Sequence, residues 1–279
     1  MNGGYGNDTY TINSVDDTVF EDRNAGNDTL NSSIDYTLPD NVENLTLTGN
    51  KATLAIGNTL DNILTTNSSN DTLIGLAGND TYIVNSTLDV VIENVNEGTD
   101  LIKSSVSYTL PDNVENITLV GNSSIDANGN NLNNILMGNT GNNSLDGGTG
   151  NDLLIGNGGH DTLTGGTGSD TFLYNAKPEE NNKIIITDFT TGLDKLQFSV
   201  PMLNKLGNLG HFANDDEAFV SNVTGKADNG HERLIYNSST GILSYDPDGN
   251  GHSAPTAIVV LGTGPSHPDL HASDLFAVG

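Results

Sequence analysis

The 279-residue chain has no cysteine and no tryptophan, and it sets only 9 Lys and Arg against 36 Asp and Glu, a formal net charge of −27. Without cysteine there is neither a disulfide framework nor thiolate chemistry. Without a basic surface there is no footprint for nucleic acid, whose phosphates would repel this chain. The longest apolar runs, such as Ala257 to Leu261, fall far short of the roughly 20 residues that span a bilayer as a helix, so no membrane span is expected. Hydrophobic residues make up 34% of the chain, too few for a broad globular core. What is abundant is acid, Gly (33) and Asn (40). Such a composition fits either a disordered chain or one that needs cations to fold, and internal repetition decides between them.

Two periods are present. GNDTY at Gly6–Tyr10 returns at Gly78–Tyr82, and YTLPDNVEN at Tyr36–Asn44 returns at Tyr108–Asn116, both 72 residues on. NTLDNIL at Asn58–Leu64 matches NNLNNIL at Asn130–Leu136 at the same offset. The chain is therefore a repeat array. From Gly138 a nine-residue period is plain: GNTGNNSLD, GGTGNDLLI, GNGGHDTLT, GGTGSDTFL, with Asp152, Asp161 and Asp170 at the sixth position of the last three. Asp8, Asp71, Asp80 and Asp89 differ from Asp152 by multiples of nine, whereas Asp100 breaks phase and the phase recovers by Asn116. The structural unit is expected to be two nonapeptides.

The glycine-rich half of each nonapeptide reads as a tight turn, because glycine reaches positive φ without steric cost. The other half reads as a short strand with Leu154, Leu163 or Phe172 pointing inward. Two strands and two turns close a coil, and coils stack at strand spacing, roughly 4.8 Å. The expected fold is all-β: a parallel β-solenoid over residues 1–173, with degenerate 72-residue repeats over 1–128 and regular repeats over 129–173. A β-rich cap follows over 174–279, as an open array end requires. There, strands are expected at Lys183–Phe189, Asp194–Phe198 and Thr256–Gly262, a hairpin around Ser238–Gly241, and short helices within Asn204–Phe219.

GGTGNDLLI at Gly147–Ile155, GNGGHDTLT at Gly156–Thr164 and GGTGSDTFL at Gly165–Leu173 resemble the repeats-in-toxin, or hemolysin-type calcium-binding, nonapeptides, with consensus GGxGxDxUx. Asn157 departs from the second glycine, and GGYGND at Gly3–Asp8 also fits. The resemblance implies a right-handed parallel β-roll with Ca2+ between stacked turns. The segments ITDFTTGLDKL, RLIYNSSTGILSYDPDGNG and the terminal ASDLFAV resemble the C-terminal domain of serralysin-like proteins exported by type I secretion. That likeness implies a secreted, extracellular protein whose partners are calcium ions and the type I secretion apparatus.

Calcium takes six to eight oxygens, from carboxylates and main-chain carbonyls, which is the chemistry this turn offers. The expected ligands are Asp152, Asp161 and Asp170 with Gly147, Gly148, Thr149, Gly150, Gly156, Gly158, Gly159, Gly165, Gly166 and Gly168. Asp152 and Asp170 stack eighteen residues apart, as do Asp71 and Asp89; Asp161 stacks over Asn143, Asp152 over Asn134 and Asp80 over Asn62, where a neutral amide makes a weaker site. For Asp8, Asp71, Asp80 and Asp89 two readings stand side by side: calcium ligand, or side chain bonded to nearby turn backbone. The turns between Val95 and Asn128 lack GGxGxD and are expected to stack without metal, with rows of Asn amides bonded to one another. Asp246, Asp248 and Asn250 have EF-hand-like spacing, but the twelfth position is Ala257 rather than the bidentate Glu. A plain hairpin turn and a small calcium site both remain open there.

Residues 1–173 hold 23 acids and only Arg23, Lys51 and Lys103 as bases, so stacked anionic turns need counter-ions. No HExxH and no GxSxG is present, and the six His show no metal-ligand spacing, so catalysis is not expected. The chain enters mid-array with no signal peptide, which suggests the C-terminal part of a larger protein. Its expected role is a calcium-binding β-roll module that folds on calcium and supports secretion. The alternatives are a calcium-stiffened adhesin or surface segment, with a polysaccharide or cell-surface partner, and the non-catalytic module of a polysaccharide-modifying or hydrolytic enzyme.

Overall fold

The computed structural model describes residues 1–206, 210–212, 218–227, 229–249, 253–264 and 266–279. The chain is all-β, a β-solenoid of parallel stacked coils. Among the described residues the only helices are single 3-10 turns at Glu180–Asn182 and Ala272–Asp274. Two compact units divide at Val120 and Gly121.

In the first unit, the strands Thr9–Ile12, Thr29–Ser32, Asn44–Leu47, Ile63–Thr65, Thr81–Val84, Leu101–Ser104 and Asn116–Leu119 pair in parallel in that order. A second sheet joins Tyr36–Thr37, Leu54–Ile56, Thr72–Ile74 and Val90–Ile92. Alternation of side chains along each strand sends one row inward. Tyr10, Leu30, Leu45, Leu64, Tyr82, Ile102 and Ile117 are register partners from strand to strand, and all are buried. This one-residue-wide ladder is why so few hydrophobic residues suffice.

The coils are not uniform pairs of nonapeptides. Register partners in this sheet lie 20, 15, 19 and 18 residues apart, then 20 and 15 again. Four unequal coils thus make each 72-residue repeat. Asp100, out of phase in sequence, is in register in space, because Leu101 pairs with Thr81 and the two extra residues are absorbed in the coil. Eighteen-residue spacing holds where the nonapeptides are regular.

In the second unit, Ile135–Met137, Leu153–Ile155 and Thr171–Tyr174 stack at that spacing, and Ser144–Asp146 and Thr162–Thr164 stack opposite. The parallel ladders run on past the last nonapeptide. Lys195–Ser199 pairs with Thr171–Tyr174, and Leu275–Val278 pairs with Lys195–Ser199. On the other side, Ile184–Ile186 and Thr256–Leu261 continue the ladder from Thr162–Thr164. Antiparallel pairings then end the parallel stacking in both sheets: Gly210–His211 on Leu275–Val278, and the hairpin Leu234–Asn237 and Ile242–Tyr245 on Thr256–Leu261, with Phe219–Asn222 added in parallel at the outer edge of that hairpin. Lys183–Phe189 and Asp194–Phe198 do contain strands, flanking the turn as consecutive edges of a coil. Of the span 204–219, residues 207–209 and 213–217 lie outside the described residues, and the remainder is turn and strand.

Leu154 is fully buried between its register partners Leu136 and Phe172. Leu154→Ala should lower stability in saturating calcium by about 2–5 kcal/mol, read by urea denaturation. A cost under about 0.5 kcal/mol would contradict the ladder packing.

Candidate metal centre

The turns of the nonapeptides are built around one glycine–aspartate contact. A Cβ at Gly147, Gly156 or Gly165 would fall on the carboxylate of Asp152, Asp161 or Asp170 respectively. Glycine is required at the first position because the acid five residues on folds back over it. The second position takes positive φ, at 94° for Gly148 and 93° for Gly166. Asn157 reaches 66° in the same place, since asparagine tolerates the left-handed region. Gly150, Gly159 and Gly168 also have positive φ and press against the carbonyls of Leu132, Gly141 and Gly150 in the preceding coil. The Gly150 amide bonds to the Thr167 carbonyl at 2.9 Å, and Thr149 bridges to Thr167. Gly158 lies against Asn182, which also takes the Gly159 amide.

Each sixth-position acid then does the same job. Its Oδ1 accepts the main-chain N–H of the residue one coil earlier: Asn134 to Asp152 at 2.7 Å, Asn143 to Asp161 at 2.8 Å, Asp152 to Asp170 at 2.9 Å and Asp170 to Asp194 at 2.9 Å. The same bond joins Asn62 to Asp80, Asp71 to Asp89 and Thr53 to Asp71. Where a coil has only 15 residues, a longer side chain takes over, and Glu43 and Glu115 cap Asp28 and Asp100. An opposed, more exposed ladder runs from the fifth position, with Asn133 capping Asn151 and Asn151 capping Ser169.

The second carboxylate oxygen separates the sites. At Asp71, Asp89 and Asp194 it is used within its own turn, accepting the amides of Asn67, Asn85 and Thr190. Those acids, Asp71 and Asp89 among them, act as turn caps. At Asp8, Asp80, Asp152 and Asp161 the second oxygen is buried with no hydrogen-bond partner. Leaving such an acceptor unsatisfied costs about 1–3 kcal/mol, more when charged. Around Asp152 the Gly165 carbonyl also crowds the space a Gly147 Cβ would take, 2.6 Å from it. A pocket of unpartnered carboxylate oxygens beside a main-chain carbonyl is the donor set of a hard cation, so these residues fit calcium. Asn134 and Asn143 turn their amides to their own turns and to the Ile125 carbonyl, satisfied as neutral caps.

Burial raises the Asp152 carboxyl to about 6, with the Asn134 amide opposing and Asp170 adding to the rise. Asp161 is raised to about 7 by burial, again opposed by an amide, that of Asn143. Asp170 is raised by burial as well. None of the ten buried acids in residues 1–173 ion-pairs with a base among the described residues. The lysine–carboxylate pair among the described residues, Lys195–Asp274 at 3.8 Å, lies outside that stretch.

Two acid clusters escaped the sequence reading. Asp8, Glu21 and Asp28 converge, as do Asp80, Glu93 and Asp100, with one ligand atom from each lying within 4.8 Å of the others. Asp100, expected to stack without metal, is part of the second cluster. The available signal was the 72-residue offset, which superposes Glu21 on Glu93 and Asp28 on Asp100. Rows of bonded Asn amides are not what the next coil shows: the amides of Asn113 and Asn116 bond to the carbonyls of Glu93 and Asp100. At the hairpin tip, Asp246 accepts the amides of Asp248 and Gly249 and Asp248 accepts that of Ser253, while Asn250 lies outside the described residues.

The chain matches the RTX calcium-binding nonapeptide repeat (4 copies) family over residues 56–89, 128–163 and 137–172. No curated protein matches the chain. The protein thus carries calcium-binding nonapeptide repeats in a β-solenoid, a type of repeat that is characteristically structural. No described helix is long and apolar enough to cross a membrane.

Raised carboxyls hold their protons more tightly in the folded chain than in the unfolded one. In metal-free protein they favour the fold below about pH 4, and that contribution is lost as pH rises through about 6–7. Calcium competes for the same oxygens. Its affinity, by calorimetry, should weaken as pH falls from about 8 to about 6, with proton release on binding. An affinity constant across that range would contradict the assignment of these acids as ligands.

Proposed function

We propose that the chain is a calcium-dependent folding module of an extracellular protein, with no catalytic role of its own. The observation that carries this reading is the pair of buried, partnerless oxygens on Asp152 and Asp161 inside the matched repeats. The ligands are Asp152, Asp161 and Asp170 with the carbonyls of their glycine-rich turns, and Asp8 and Asp80 join them. With about 1 mM calcium and dissociation constants of about 10⁻⁴–10⁻³ M, each site contributes roughly 0.4–1.4 kcal/mol. EDTA should lower the thermal midpoint followed by circular dichroism by many degrees, and added calcium should restore it. An unchanged midpoint would sink the proposal.

Export through a type I secretion apparatus is the second part of the proposal. The support is the resemblance of most of residues 183–279 to the export domain of serralysin-like proteins, including the acid-then-apolar run Asp274–Gly279. An acidic array left unfolded at low cytosolic calcium can be threaded, and outside it folds and cannot slip back. Leu275–Val278 is also a paired strand, so this tail has a structural duty besides. Removal of residues 272–279 should stop secretion in a host carrying a type I exporter while calcium binding by the nonapeptides persists. Undiminished export of the truncated chain would end this part.

A second reading, a calcium-stiffened spacer on a surface with a polysaccharide or cell-surface partner, draws on the duplication of whole four-coil blocks. Duplication of a block adds length without adding a new kind of site.

A further inference from the structure

We propose that the longest coil of each 72-residue repeat builds a second kind of divalent-cation site, made of three carboxylates: Asp80, Glu93 and Asp100, and again Asp8, Glu21 and Asp28. The proposal deepens the calcium reading, rests on it for the identity of the ion and shares Asp8 and Asp80 with it; Glu21, Asp28, Glu93 and Asp100 are new to it.

A nonapeptide turn supplies one acid. Here the 20-residue coil brings a glutamate from outside the nonapeptide pattern, directly after the strand Val90–Ile92, into the gap between the turns of Asp80 and Asp100. One oxygen of Asp100 is spent on the Asp80 amide, at 2.8 Å. Asp80 Oδ2 and Glu93 Oε2 are left buried without partners, on side chains 1% and 6% exposed. The Tyr82 hydroxyl donates to Glu93 Oε1. A Cβ at Gly75 would collide with Asp80, Tyr82 and Glu93 together, so glycine holds the space open. The first repeat shows the same arrangement: Asp8 Oδ2, Glu21 Oε2, Asp28 Oδ2 and the Tyr10 hydroxyl are all buried and unpartnered. Oxygens bound to one calcium at 2.3–2.6 Å lie at most about 5 Å apart, and these lie within 4.8 Å. Three buried like charges repel strongly without a cation between them.

Ligand charge count tunes calcium affinity, so these two sites should bind roughly tenfold more tightly than the nonapeptide turns. Calcium calorimetry on the full chain should resolve a tight class of two ions. Glu21→Gln with Glu93→Gln, which keeps shape and removes charge, should abolish that class. Asp152→Asn, Asp161→Asn and Asp170→Asn together should spare it and deplete the weaker class. Terbium provides a check that needs no acid variant: tyrosine-sensitised emission should be strong in the native chain and mostly lost in Tyr10→Phe with Tyr82→Phe. Unchanged tight binding in the double glutamine variant, or emission indifferent to both tyrosines, would overturn the three-carboxylate sites and leave the nonapeptide reading standing. Loss of calcium only in the glutamine variant would uphold them and overturn the nonapeptide reading. No calcium bound by the native chain would overturn both.

Discussion

The structure depends on a bond that few folds use in bulk: a buried carboxylate accepting a main-chain N–H from the neighbouring coil. A coil this narrow has turns that sit on the stack itself, so their amides cannot all reach water and need acceptors inside. An acid meets that need with one oxygen and leaves a charge and a second oxygen to be dealt with. In the tighter turns, such as that of Asp71, the second oxygen finds another amide. Before Asp152, Asp161 and Asp80 the residue four places earlier, Gly148, Asn157 or Leu76, takes positive φ, and the second oxygen is left bare. The difference between a turn cap and a bare carboxylate oxygen thus follows the local backbone path.

Charge then ties the fold to its surroundings. Ten buried acids within residues 1–173 have no basic partner among the described residues, and the three bases of that stretch are exposed. Buried charges persist only when paired or bound to metal. Either protons or cations must supply the balance, and the raised carboxyls of Asp80, Asp152 and Asp161 mark protons as a competitor for these oxygens. A cation held by the second oxygen would leave the capping bonds in place, since they use the other one.

Much of this was legible in the sequence because nonapeptides carry their geometry in one dimension. A residue eighteen places on is a neighbour in space, so Asp152, Asp170 and Asn134 could be stacked on paper. The three-carboxylate clusters were not legible by that rule. Glu93 reaches Asp80 only because one coil is longer, and a strict period sets such a residue aside as an interruption. The same strictness hid Glu43 and Glu115, whose longer side chains compensate for a shorter coil. Irregular coils have to be read against each other, at the 72-residue offset, rather than against the consensus. The end of the nonapeptides at Leu173 likewise hid that the ladders continue, since Lys195–Ser199 and Leu275–Val278 lie on the stack by pairing without any repeat to announce it.

The buried capping bond has a polarity. The buried acids reach back to the coil before them, whereas the forward-reaching bonds, to Asn133, Asn151, Asp61 and Asp126, lie near the surface, where water can replace them. Coils removed from the front would leave the acids of the new first coil without their amide donors, and coils removed from the back would leave the amides of the new last coil without their acceptors. The two ends of a shortened stack therefore differ in chemistry: the leading face presents carboxylate oxygens and negative charge, and the trailing face presents bare N–H groups.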